Sequence, residues 1–283
     1  MGLGGKTVFI SGGSRGIGHA VALRAARDGA NIVVAAKTAE PHPHLPGTIY
    51  TAAEEIESAG GKALPIVLDI RDVDAVEAAM AKAADHFGGI DVLINNASAI
   101  SKTPTTETEP KRYDLMHDIN ARGTFFVSKA AIPYLRKSDN PHVLTMSPPI
   151  NLDPAWFAPH VAYTMSKYAM SMTVLGMAEE FRGEGIAFNS LWPRYGIATA
   201  AIEFAAADAD QLKHCRTPEI MADAAYEILT RPSRECTGNF FIDDTLLAET
   251  GVTDFTKYRV DPTQSLRIGM FFKDDDLPPP GKH

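Results

Sequence analysis

From Thr7 onward, short runs of uniformly apolar residues alternate with longer stretches whose apolar positions recur at helical spacing. Thr7–Ser11, Asn31–Ala36, Ala63–Leu68, Asp91–Ile94, His142–Met146, Ile186–Leu191 and Asn239–Ile242 read as strands. Ile17–Asp28, Ile49–Ala59, Val73–Phe87, Pro110–Arg136, Tyr163–Phe181 and Pro218–Thr230 read as helices, with Thr51 opening the second and Gly60-Gly61 closing it. Strands apolar along their whole length are buried on both faces. Their alternation with helices implies parallel pairing through right-handed crossovers. The expectation is an α/β chain with a Rossmann-type, doubly wound parallel sheet of about seven strands. It forms one domain over residues 1–262, followed by a tail, 263–283, whose Asp- and Pro-rich end is expected to be mobile. Neither an internal repeat nor an interdomain linker interrupts it.

Composition narrows the class. The 283 residues are 45% hydrophobic and 22% charged, enough to build a core without disulfides or metals. Disordered, collagenous and disulfide-scaffold classes are excluded. Twenty-seven basic against 35 acidic residues, net −8, argues against nucleic acid as the main partner. Cys215 and Cys236 read as free thiols in a reducing compartment. Residues Met1–Thr7 lack the features of a signal peptide, and Lys6 stands where myristoylation wants Ser or Thr. No apolar run approaches the ~20 residues of a membrane span. The chain therefore reads as a cytoplasmic protein with a small-molecule ligand.

Ligands of doubly wound sheets bind beyond the carboxyl ends of the strands. There, the first strand runs into Gly12-Gly13-Ser14-Arg15-Gly16-Ile17-Gly18 and directly into a helix. Glycine lets the backbone approach a pyrophosphate, and the helix start supplies free amides with partial positive charge. An ordinary strand-to-helix turn is the plainer alternative. The second strand ends in Ala35-Ala36-Lys37-Thr38, with no acid to hold a ribose 2′-hydroxyl. Arg15 and Lys37 instead suit a 2′-phosphate, so NADP is favoured over NAD; the alternative is a Lys37 that is simply solvated.

Tyr163 and Lys167 stand at i and i+4, on one helical face. A free tyrosine has a pKa near 10, and a nearby cation lowers it toward useful acid/base range. A packed ring with a solvated lysine tip is the bland reading. Asn95-Asn96-Ala97 follows the fourth strand, and Asn120 interrupts a helix, where Asn is a poor choice unless it bonds locally to backbone or serves another role.

Together these residues resemble the short-chain dehydrogenase/reductase family over roughly Thr7 to Asp243, through the glycine loop, Asp69, Asn95-Asn96-Ala97, Asn120, Tyr163 and Lys167. The resemblance implies that Tyr163 is the acid/base and that Lys167 binds the nicotinamide ribose and tunes Tyr163. Asn120 would hold a relay water, and Asp69 would meet the adenine. The cofactor set is Gly12, Ser14, Arg15, Gly16, Ile17, Gly18, Lys37, Asp69, Asn96, Tyr163, Lys167 and Pro193. It also implies that the helices over Pro110–Arg136 and Tyr163–Phe181 pair between subunits, as a homodimer or homotetramer. The stretches Asn31–Thr38, Gly47–Ile56, Met146–Pro149 and Tyr168–Met172 resemble one branch of the family whose animal members carry an extra sterol-carrier domain; this chain is too short to hold one.

Three departures stand out. The family's catalytic Ser, thirteen residues before the Tyr, is Ile150 here, and Ser147 is the candidate replacement as carbonyl-polarising group. Ser98 and Arg194 occupy positions the family gives to glycine. His42 and His44 lack a third metal ligand, so no metal is expected and their loop reads as one closing over the adenosine phosphate. Trp156, Phe157, Trp192 and Tyr195 suggest a partly apolar substrate wall for a fatty-acyl, steroid or aliphatic carbonyl compound, and Gly196–Lys213 reads as a helical lid. The function expected is hydride transfer between NADP and a carbonyl or secondary alcohol. The alternative is a non-catalytic NADP-binding sensor or scaffold.

Overall fold

The strands are β1 (Thr7–Ser11), β2 (Asn31–Ala36), β3 (Lys62–Val67), β4 (Val92–Asn95), β5 (His142–Thr145), β6 (Ala187–Trp192) and β7 (Phe240–Ile242). In the computed structural model, which describes residues 2–42, 45–200, 202, 209–273, 276 and 278–283, they form one parallel sheet in the order β3-β2-β1-β4-β5-β6-β7. The order reverses between β1 and β4, where Ser11 lies opposite Asn95. That junction opens the crevice in which doubly wound sheets hold their ligands.

The central strands alternate their side chains between two cores. Val8, Ile10, Ile32 and Val34 face the helices α1 (Gly16–Ala26), α2 (Ile49–Ser58) and α7 (Glu219–Leu229). Phe9, Val33, Leu93 and Val143 face α3 (Val73–Phe87), α5 (Thr124–Leu135) and α6 (Val161–Glu180). Two apolar faces are why these strands read as uninterrupted apolar runs. No described helix is long and apolar enough to cross a membrane.

Several local expectations change. The helix expected over Pro110–Arg136 is α4 (Pro110–Met116), a π-helical segment His117–Gly123, and α5. The widened turn coincides with Asn120, whose side chain bonds outside its own helix, and with Gly123, where a Cβ would lie 2.7 Å from Ile70 Cδ1. Helix α2 is capped by Thr48, not Thr51; the Thr48 hydroxyl accepts from the Tyr50 and Thr51 amides while Thr51 Oγ1 accepts from the Thr48 amide. A short helix not expected from the sequence, α8 (Asp243–Glu249), follows β7.

The arm that leads into the Asp- and Pro-rich end, and the last residues of that end, pack onto the domain. Trp192 Nε1 donates to the Met270 carbonyl at 3.1 Å. The Phe271 ring is buried among Trp156, Tyr168 and Trp192. The Phe255 amide donates to the Lys282 carbonyl at 2.7 Å, and His283 stacks on Phe255. Of the lid expected over Gly196–Lys213, a 3₁₀ turn at Ala209–His214 is seen; residues 201 and 203–208, like His44, lie outside the described residues.

Candidate active site

The glycine loop is shaped by the end of β4. Gly12 has φ +70, and a Cβ there would lie 3.0 Å from the Ala97 Cα and the Asn96 amide nitrogen. A Cβ on Gly18 would come 2.6 Å from the Gly12 carbonyl. Asn96 Nδ2 donates to the carbonyls of Gly12, at 2.8 Å, and Ser11, at 3.2 Å. Asn96 therefore acts as a strut beneath the loop. Helix α1 starts at Gly16 with neither a side-chain cap nor an acid in its first turn, so its leading amides have no side-chain acceptor to compensate them. This cradle fits a pyrophosphate. Arg15 lies over the same loop, donating to the Gly47 carbonyl at 3.0 Å.

At the ends of β2 and β3, Lys37 and Asp69 form an ion pair of 3.1 Å, and Arg71 grips the same carboxylate at 2.6 Å. The Arg71 guanidinium, with Lys37 beside it, holds the Asp69 carboxyl well below the usual carboxylate range. Two cations share one acid there, which leaves the corner net positive. Sequence reading missed Arg71; its only signal was a basic residue two positions after Asp69 at a strand end.

Helix α6 carries Tyr163 and Lys167 into the interior. Tyr163 packs with Met116 and Ala162, against Ala99 and Met270. Burial pushes its phenol above the ordinary value, and no hydrogen bond among the described residues offsets this. Lys167 Nζ donates to the Met146 carbonyl at 2.7 Å, contacts Met170 Sδ at 3.1 Å, and stands 5.2 Å from the Trp192 ring centroid. No carboxylate pairs with it among the described residues, and burial pushes it down to about 7. The expected lowering of the Tyr163 pKa by Lys167 is thus not what the protein's own groups produce: both are desolvated, and each is driven toward its neutral form. A buried, unpaired ammonium with donor capacity to spare suits the hydroxyls of a ribose.

Asn120 lies in the π-helical segment. Its Oδ1 accepts from the Ala99 amide at 2.8 Å, while Nδ2 donates to the Ala99 carbonyl and to Ser166 Oγ, each at 2.9 Å. Both of its N–H donors are committed, and Asn120 ties the loop after β4 to α6. Ser147 is fully buried; its hydroxyl donates to Ser190 Oγ at 3.2 Å, and Ser190 donates back to the Ser147 carbonyl at 2.6 Å. Its hydroxyl is occupied between β5 and β6, away from the carbonyl-polarising duty expected of it.

Pro193 follows β6, with its carbonyl 3.2 Å from where a Gly269 Cβ would stand. Arg194, at the family's glycine position, turns its side chain onto Asp244 at 2.9 Å. Of the expected aromatic wall, Trp156 and Trp192 converge on Phe271, Phe157 stacks on Tyr168, and Tyr195 lies against the buried Arg216 instead. Met116 and Met270, which border Tyr163, and Phe271 are further residues that sequence reading missed.

The short chain dehydrogenase family profile matches residues 6–209 of the chain. This chain belongs to the short-chain dehydrogenase/reductase family. This short-chain dehydrogenase/reductase is 58% identical over 273 residues to hydroxysteroid dehydrogenase-like protein 2 of Xenopus tropicalis, across 96% of its own length and 64% of that relative's. It therefore spans less than two thirds of that relative. A solved short chain dehydrogenase from Mycobacterium thermoresistibile is 53% identical, superposes with a TM-score of 0.92 and matches 98% of both chains. A Mycobacterium paratuberculosis short chain dehydrogenase solved bound to NAD shares the fold, with a TM-score of 0.72 at 23% identity over 86% of this chain and 97% of its own.

Proposed function

We propose that this short-chain dehydrogenase/reductase uses NADP(H) to move a hydride to or from a carbonyl or secondary-alcohol carbon of a partly apolar compound. One observation carries the reading. Tyr163, a buried phenol without a hydrogen-bond partner among the described residues, and Lys167, a buried ammonium without a carboxylate, rise from one face of α6. A protein that only bound nucleotide would have no use for desolvating both.

When bound, the nicotinamide supplies or accepts the hydride. Tyr163 donates the proton that turns the carbonyl oxygen into a hydroxyl, or removes it in the reverse direction. Lys167 binds the ribose and, while protonated, favours the phenolate. Asn120 holds the loop at Ala99 against α6, so the apolar floor under Tyr163 stays in place. Arg15, Lys37 and Arg71 favour the 2′-phosphate of NADP over NAD. Ser147 serves the packing of β5 against β6. The unpaired thiols of Cys215 and Cys236 support a cytoplasmic setting. Exposed Phe125 on α5 and Met172 and Leu175 on α6 support a homo-oligomer paired through those helices.

The test is reduction of a ketone and aldehyde panel with NADPH. Tyr163→Phe should lower turnover by a factor of about 10² or more while NADPH binding persists. Lys37→Asp should raise the NADPH Michaelis constant and leave NADH less affected. Undiminished turnover by Tyr163→Phe would overturn the role given to Tyr163, and tight NADPH binding without turnover of any carbonyl would overturn the proposal in favour of a non-catalytic nucleotide binder.

A further inference from the structure

The arm over residues 267–273 passes beside Tyr163 and is fastened there almost residue by residue. The Arg267 amide donates to the His214 carbonyl at 2.9 Å, and the Gly196 amide donates to the Arg267 carbonyl at 3.1 Å. Ile268 pairs with Tyr195 in an antiparallel bridge. The Gly269 amide donates to the Arg194 carbonyl at 2.6 Å. The Met270 carbonyl accepts from Trp192 Nε1 at 3.1 Å, and the Phe271 ring packs among Trp156, Tyr168 and Trp192. Lys273 closes the series with a 2.6 Å ion pair to Asp153, in the loop between β5 and α6.

Two of these positions have no freedom. A Cβ on Gly269 would lie 2.8 Å from the Arg194 carbonyl oxygen and 3.2 Å from that of Pro193, so the arm comes this close only because the residue is glycine. Phe271 has φ +73, in the left-handed region where a bulky side chain is strained. Such strain persists only where the surroundings over-determine the conformation. Here the ring is buried, the carbonyl before it is bonded, and the backbone two residues earlier is clamped. Between these two fixed points stands Met270, whose side chain packs onto the cluster of Tyr163, Met116 and Ala162. The arm is thus rigid at the place where it sets one thioether side chain against the acid/base phenol.

Resting on the oxidoreductase reading above, we propose that Met270 sets the width of the substrate that reaches Tyr163, and that the substrate class is an unbranched aliphatic carbonyl compound. Methionine is unbranched and turns about three side-chain bonds, so it follows the outline of a flexible chain laid along it. Met116 brings a second such side chain to the same cluster. A fused-ring body is wide and stiff, and admitting it requires the arm to retreat. Retreat breaks the Gly269 and Trp192 hydrogen bonds and opens the packing around Phe271. The wall therefore adapts to a chain and resists a ring.

The test is binding and turnover of two ketones by the full chain, methyl octyl ketone and methyl naphthyl ketone, the one a chain and the other a fused ring. Binding is read by calorimetry with NADP⁺ present, and turnover with NADPH. The wild type should favour the octyl ketone in both. Met270→Ala should move the preference toward the naphthyl ketone by about tenfold, the discrimination that a change of one or two methylenes in an apolar pocket supplies. Met270→Leu, similar in volume, should keep the wild-type preference, and the NADPH Michaelis constant should be unchanged in both variants. Gly269→Ala, which drives the arm off Arg194 with Met270 intact, should shift the preference in the same direction as Met270→Ala. A wild type that favours the naphthyl ketone, an unshifted ratio in Met270→Ala or in a folded Gly269→Ala, or no binding of either ketone would overturn the proposal. A preference that shifts in binding without turnover would uphold the role of Met270 and sink hydride transfer. Turnover of both ketones at one unshifted ratio would sink the role of Met270 and leave hydride transfer standing.

Discussion

Asn120 holds the Ala99 peptide from both sides: Oδ1 accepts its N–H at 2.8 Å and Nδ2 donates to its carbonyl at 2.9 Å. A third bond reaches Ser166, whose hydroxyl donates to the Tyr163 carbonyl at 2.8 Å. The widened turn around Asn120 thus exchanges local helical bonding for a tie between two segments of the active site. Asn120→Leu would strand both Ala99 backbone groups in the interior, at a cost on the order of 3 kcal/mol. Urea unfolding should show this as a lower midpoint. An unchanged midpoint would refute the scaffold role.

Lys167 should trade stability for chemistry. Its folded pKa of about 7 lies below the ordinary 10.5, so the unfolded chain binds the proton more tightly between those values. The cost of burying it therefore grows as pH falls from 10.5 toward 7, is full below 7, and vanishes above 10.5. Lys167→Met should melt higher than the wild type at about pH 6, by up to a few kcal/mol less the lost Met146 bond, and gain much less near pH 9.5. Turnover should be lost. An equal gain at both pH values would show that the ammonium is not the source.

His142 sets an acid limit on the fold. Its ring lies inside β5, with Nε2–H donating to the Arg231 carbonyl at 3.0 Å. Burial drives its pKa from 6.5 down to about 4. The unfolded chain takes the proton first, so stability is present above 6.5 and is lost as pH falls toward 4, by roughly 3 kcal/mol. His142→Phe should flatten this limb of the stability profile. A profile with its slope between those values unchanged would rule His142 out as the cause.

Phe271 closes the pocket beneath Trp192. It is 1% exposed and touches three aromatic rings, so Phe271→Ala should cost about 3–5 kcal/mol. The loosened arm should also shift tryptophan fluorescence and raise the substrate Michaelis constant, since Met270 beside it borders Tyr163. A variant with wild-type melting and kinetics would show that the arm is not part of the site.

Much of this molecule is legible in one dimension. Strand runs such as Asn31–Ala36 are apolar throughout because both faces of the sheet are covered, and a doubly wound parallel sheet of about seven strands follows from their alternation with helices, while the order of the strands comes from the folded structure. The i, i+4 spacing of Tyr163 and Lys167 is a property of any helix, so their shared face needed no fold to be known. The same holds for glycines that begin a helix after a strand.

What local pattern does not carry is the partner of each side chain. Lys37 reads, with Arg15, as a cation for a 2′-phosphate, and only the fold shows that β3 brings Asp69 and Arg71 beside it. Ser147 reads as a catalytic hydroxyl until β6 sets Ser190 against it. Phe271 carries no signal of a role in its local sequence, yet it packs among Trp156, Tyr168 and Trp192. Periodicity is set by neighbours a few residues away. Desolvation and pairing are set by groups far off in the chain, and only the folded structure brings those together.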